Sequence, residues 1–123
     1  MKIKDHRELE VYQLAFECAM EIFKISKAFP KEEIYSLTDQ IRRSSRSVTS
    51  NVAEAFRKRR YPKAFVSKLN DSEGEAAETQ VWLDYSLKCN YIDEKNHDDL
   101  YQKYDFIIDK LVNMERFPEK WSV

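Results

Sequence analysis

Glycine is almost missing from this chain, with Gly74 alone among 123 residues, and proline occurs three times. That leaves too little turn-forming material for a strand-rich fold built on hairpins, and it rules out a glycine-rich phosphate loop. Cysteine is equally scarce. Cys18 and Cys89 have no second pair with which to build a disulfide framework or a zinc site, so two reduced, buried thiols of a cytoplasmic protein are expected. No apolar run approaches the roughly 20 residues that cross a bilayer, and the first residues are charged, so neither a membrane nor a targeting segment is expected. At 123 residues the chain is long enough for one domain with a real core.

What is present reads as helix. Pro30, Pro62 and Pro118 each follow an aromatic residue, and the residue before proline is pushed out of the helical region. Helices should therefore stop near Phe29, Tyr61 and Phe117, while Asp93, followed by acids, can cap another start. The divisions predict four helices at about 7–28, 32–59, 63–89 and 94–116. Short connections make sequential helices antiparallel neighbours, so the fold class is all-α, an antiparallel up-and-down four-helix bundle.

Periodicity supplies the seams. In the fourth helix His97, Leu100, Tyr104, Ile107, Leu111 and Met114 are spaced 3, 4, 3, 4, 3. The second helix offers Ile34, Leu37, Ile41, Ser44, Val48, Val52 and Ala55 or Phe56, and the third Phe65, Leu69, Ala76, Leu83 and Leu87. Glu73 and Gln80 fall on the third helix's stripe, where they must hydrogen-bond across the bundle or face a subunit boundary. Gly74 costs about 1 kcal/mol against alanine in mid-helix, and close approach of another backbone is the simplest reason for it.

The first helix is apolar around most of its circumference. Glu10, Gln13, Glu17, Glu21 and Lys24 fit a strip about 80° wide, whereas a bundle helix needs an apolar stripe of only about 100°. The surplus predicts self-association, with Val11, Leu14, Cys18 and Ile25 on the first helix and Glu73 and Gln80 on the third as interface candidates. A monomer with scattered surface apolar residues is the alternative.

Charge is distributed unevenly. Residues 1–70 hold 15 basic and 9 acidic side chains, while residues 71–123 hold 6 and 13, within a net charge of −1. Nine of the basic residues, Arg42, Arg43, Arg46, Arg57, Lys58, Arg59, Arg60, Lys63 and Lys68, face one acid, Glu54, between positions 42 and 68. On the second helix Arg42, Arg46, Arg57 and Arg60 fall within about 60° of one another, opposite the apolar seam. Guanidinium forks with Ser45, Ser47, Thr49 and Ser50 among or beside them suit phosphate oxygens, and Tyr61 offers a ring to an unpaired base. The candidate partner is RNA or DNA. The same arginines can instead pair with the acidic third and fourth helices, within the subunit or across an oligomer, through Glu73, Glu75, Glu78 and Asp84.

Catalytic constellations are sparse. A di-iron bundle site requires Glu-x-x-His on two helices, and Glu94-Lys-Asn-His97 supplies that spacing once. His6, the other histidine, has Ile3 at the matching position. No metal, cofactor, small-molecule substrate or enzymatic activity is expected.

Five ordered segments carry a resemblance: Leu9-Glu-Val-Tyr-Gln-Leu-Ala, Phe29-Pro-Lys-Glu-Glu, Leu37-Thr-Asp-Gln-Ile-Arg-Arg-Ser, Ser50-Asn-Val-Ala-Glu-Ala-Phe and Glu75-Ala-Ala-Glu-Thr-Gln-Val-Trp-Leu. Over about residues 8–116 the chain resembles the bacterial four-helix bundle proteins encoded in intervening sequences of 23S ribosomal RNA genes, often labelled S23 ribosomal protein. The resemblance implies a ring-shaped homopentamer without established enzymatic activity. It also implies kinship with the accessory variability proteins of diversity-generating retroelements, which bind nucleic acid. Gln40-Ile-Arg42-Arg43 and Ser50-Asn51-Val52-Ala53-Glu54 match the family signature, tying Arg42 and Arg43 to assembly or RNA contact. Ala55 stands where the family commonly has glycine, which lets the second helix run on toward Arg57. The acidic C-terminal half makes this chain less basic than the retroelement branch.

Overall fold

Each proline stands at or just beyond a helix end. The computed structural model describes residues 3–121, and its four helices are α1 (Glu10–Ser26), α2 (Leu37–Arg57), α3 (Pro62–Lys88) and α4 (Glu94–Arg116). No strand occurs among the described residues. Sequential helices are neighbours, α4 returns to lie beside α1, and the diagonal pairs stay apart, which makes an antiparallel up-and-down four-helix bundle.

Local chemistry sets the ends. Asp93 caps α4, its Oδ1 accepting from the Asn96 amide at 2.7 Å. Tyr61 is extended, and Pro62 occupies the first turn of α3, where a missing N–H costs nothing. The other end of α3 closes on Asn90 at φ 60°, the left-handed conformation that asparagine tolerates. There the amide of Asn90 donates to Leu87 O and that of Tyr91 to Ser86 O, both at 2.9 Å, satisfying two terminal carbonyls.

Two starts differ from the expectation. Residues 6–8 form a separate 3-10 turn closed by a capping box, in which Asp5 accepts from Arg7 N at 2.8 Å and Glu8 accepts from Asp5 N at 2.9 Å. Leu9 is then extended, so α1 begins at Glu10. Before α2 lies another 3-10 turn, Lys31–Glu33, and Ser36 breaks the path with φ −129° and ψ −107°. Ile34, assigned to the seam of the second helix, consequently lies outside α2 and is exposed, and Tyr35 projects with 93% of its surface accessible.

The core forms from the remaining seams. All six assigned positions of α4 are buried, as are Leu37, Ile41, Ser44, Val48, Val52, Ala55 and Phe56 of α2. The facing surface of α3 carries small hydroxyls as well as apolar groups: Ser72 donates to Val48 O and Thr79 to Ser44 Oγ, each at 2.8 Å. Small side chains let the two helices pack closely, and the paired hydroxyls avoid the cost of burying an unmatched polar atom.

Gly74 departs from its expectation. An added Cβ would meet nothing within 4 Å, and the residue is exposed, so no backbone of this chain approaches it. Gly74→Ala should raise the unfolding free energy by about 0.5–1 kcal/mol, read as a shift in urea midpoint without a change in slope.

Candidate nucleic-acid interface

The nine cations separate into three groups. Arg42, Arg43 and Arg46 lie along the first half of α2 beside a groove of about 430 Å³ to which Thr38, Ser47 and Ser50 also contribute. Arg42 is half-buried: its Nε donates to Ser26 Oγ at 2.8 Å, and its guanidinium lies 4.8 Å from the centre of the Phe23 ring. Arg46 lies over the same ring at 5.6 Å. Arg43 faces the α3 side, where its charge favours ionised Glu75; burial and neighbouring Glu78 act more strongly, and the Glu75 pKa is raised.

A second group consists of structural cations. Arg59 stacks 3.7 Å from the Phe56 ring centre, and its guanidinium donates to Phe56 O at 3.0 Å and Ile3 O at 3.4 Å. It therefore pins the N-terminal segment to the end of α2. Lys68 is bound to Glu54 at 3.0 Å and Asp71 at 3.6 Å, and the Glu54 hydrogen bond raises its pKa. The charge of Lys68 is matched within the subunit.

Arg57, Lys58, Arg60 and Lys63 form the third group, at the turn from α2 into α3. All four are exposed, and among the described residues none forms an ion pair. Tyr61 stands among them, 60% accessible, with Arg60 5.9 Å from its ring centre. No side chain caps the start of α3 and no acid lies in its first turn. The positive end of a 27-residue helix therefore adds to the field of four free cations. This group lies about 16 Å along α2 from Arg46, at 1.5 Å per residue.

The hydroxyls do less than their spacing implied. Ser45 is buried and donates to Arg42 O, while Thr49 and Ser50 donate to Arg46 O and Ser47 O. The protons of these three satisfy the helix's own carbonyls, which leaves Thr38 and Ser47 as the groove hydroxyls that can assist the guanidiniums.

The self-association candidates also divide. Val11 and Cys18, 3% and 1% accessible, are packed inside the subunit's own core with Ala15 and Ile22. Burial pushes the Cys18 thiol up to about 12, so it remains protonated. Leu14 and Ile25 are half-buried. Gln80 bridges within the bundle, donating to Tyr101 O at 3.2 Å and Asp105 Oδ1 at 2.8 Å, which resolves its place on the stripe. Glu73 is half-buried beside Glu115. The apolar surface that α1 leaves open is carried by Phe16 and Met20, 49% and 44% accessible. Tyr12, Phe16 and Met20 recur every four residues, a signal obscured by the apolar positions around them.

His97 joins no metal cluster, and no group of three or more His, Cys, Asp or Glu among the described residues is arranged to hold an ion. Its two ring nitrogens contact Asp84 and Asp98, each at 2.8 Å. Burial opposes the imidazolium, but the two carboxylates outweigh it and the pKa is raised. No helix among the described residues is long and apolar enough to cross a membrane.

Fold and surface together define a four-helix bundle with one strongly cationic end. The chain belongs to the family described as 23S rRNA-intervening sequence protein, which it matches over residues 7–113. It is also similar to the crystal structure of a protein of unknown function from the S23 ribosomal protein family of Bacteroides thetaiotaomicron. That similarity has a TM-score of 0.77 and 25% identity, and it covers 85% of this chain and 97% of the other. No curated protein matches the chain.

Proposed function

We propose that this protein binds RNA or DNA through the cationic end of the bundle, acting as a homo-oligomer, a pentamer by family resemblance, with no catalytic step of its own. One observation carries the reading: Arg57, Lys58, Arg60 and Lys63 are exposed and free of carboxylates beside an uncapped helix start. Desolvating four unmatched cations against another protein is costly, whereas phosphates neutralise them and release counterions. Membership of a family named for 23S rRNA intervening sequences accords with an RNA ligand. Exposed Phe16 and Met20 on α1 support self-association, since burying them against a second chain removes apolar surface from water.

Salt dependence tests the reading. Four phosphate contacts on a single strand give a slope of about −3 in log affinity against log salt, so a fourfold rise in salt should weaken binding roughly 60-fold. Affinity that is absent, or indifferent to salt, removes the phosphate-contact reading.

A second reading applies to the α2 groove. Arg42 is already held by Ser26 and stacked on Phe23, and exposed Ile34 adjoins the groove. Such a preorganised surface suits carboxylates of a sister chain. Arg43→Glu with Arg46→Glu should then lower the mass measured by light scattering while a variant-insensitive nucleic-acid affinity persists at the other end. A full-mass assembly with weakened binding would assign these arginines to the ligand.

A further inference from the structure

We infer that the hollow between the start of α3 and the 3-10 turn Pro118–Lys120 receives one unpaired nucleobase of a bound single strand. The inference rests on the nucleic-acid reading and deepens it from a polyanion to a strand whose bases are splayed. The hollow measures about 490 Å³ and is lined by Pro62, Lys63, Val66, Ser67, Asn70 and Pro118. The five α3 residues lie on one helical face, and Pro118 closes the side from beyond α4.

Its surface is mainly apolar, as the face of a base requires. Pro62, Val66 and Pro118 offer carbon to a planar ring, and Ser67 and Asn70, both exposed, are the polar uncharged residues of the lining. Asn70 Nδ2 donates to Glu115 Oε1 at 3.3 Å, which leaves Oδ1 to accept from a base amino or imino group.

Charge identifies the occupant. Lys63 belongs both to the hollow and to the unpaired cluster of Arg57, Lys58 and Arg60, so a base seated there keeps its backbone on the cations. Exposed Tyr61 beside it offers a ring to a neighbouring base. A run of acidic residues satisfies the cations but places no ring in the hollow. A duplex keeps its bases stacked and cannot deliver one.

The test compares a labelled single-stranded oligonucleotide with an abasic strand of equal phosphate number, by fluorescence anisotropy on the full chain. The base-bearing strand should bind about tenfold more tightly, the order expected for seating one base. Ser67→Gln, from an exposed position, fills the hollow and should remove most of that tenfold gain, leaving only the part owed to stacking on Tyr61, while abasic binding stays unchanged. Asn70→Ala, an independent variant, should narrow the preference among the four bases. Circular dichroism confirms that each variant is folded. Equal affinity for both strands, with salt dependence retained, overturns the base site and leaves the phosphate reading standing. Failure of both strands to bind removes both, and a polyglutamate that competes as strongly as the base-bearing strand shows that charge alone carries the affinity and overturns the base site.

Discussion

Replacing Arg57, Arg60 and Lys63 together by glutamate is expected to weaken single-stranded RNA binding by at least about a hundredfold, without loss of helicity. Nonspecific affinity in the micromolar to hundred-micromolar range corresponds to roughly 5–8 kcal/mol spread over a few phosphate contacts, so removing three contacts and adding repulsion exceeds that factor. All three side chains are exposed and none supports the core, which is why the bundle should survive. Arg59→Glu separates position from charge. It alters the same local charge, yet Arg59 is stacked on Phe56 and bonded to Phe56 O and Ile3 O, so its loss should appear as lower stability and detachment of the N-terminal segment. Equal binding losses from Arg59→Glu and Arg60→Glu, at unchanged stability, would mean that the cations act only as a diffuse field.

The contrast between Arg59 and Arg60 marks how far the sequence could be read. Adjacent arginines in a basic run look alike as letters, and only the path of the chain lays Arg59 on the buried Phe56 ring and leaves Arg60 exposed beside the exposed Tyr61. Helix positions were easier. The α4 seam was legible because six apolar or aromatic positions repeat at 3 and 4, and every one is buried. On α3 the same repeat is present in Phe65, Leu69, Ser72, Ala76, Thr79, Leu83 and Ser86, but three positions are hydroxyl residues. Their burial depends on hydrogen bonds within α3 and to α2 that periodicity of apolar letters does not reveal.

On α1 the opposite difficulty arose. Apolar residues cover so much of the helix that the letters do not separate the core row from the outward row: Val11 and Cys18 belong to the former, Phe16 and Met20 to the latter. The start of α2 was hidden as well, because the Lys31–Glu33 turn keeps helical spacing before Ser36 breaks the path. The hollow beside Pro118 had no sequence signal, since it needs the residues after α4 to fold against the start of α3.

Stability of the bundle is expected to fall by roughly 2 kcal/mol as pH rises from about 4.5 to about 7, through one carboxyl group. Glu115 is held up to about 7, first by burial and then by its hydrogen bond with Glu73, against the lowering influence of Asn70. Its Oε2 is buried without a donor among the described residues, and the Glu73 carboxyl lies within hydrogen-bond reach of the same group. Two adjacent carboxylates cannot both be ionised cheaply, so the folded chain keeps a proton that the unfolded chain gives up near 4.5. Unfolding between those values releases that proton. The stabilisation is complete below 4.5, declines as pH climbs, and is gone above about 7. His97 acts in the same direction from a higher start, because its raised pKa makes the imidazolium clamp on Asp84 and Asp98 dissolve as pH passes through it. Glu115→Gln separates the two. Its amide donates permanently to Glu73, so the variant should match the parent near pH 5, exceed it by about 1–2 kcal/mol near pH 8, and retain only the later, histidine-driven decline. Urea midpoints across that range decide the matter. A variant whose stability follows the parent at every pH would place the shared proton elsewhere, and Glu73→Gln would then be the substitution that flattens the curve.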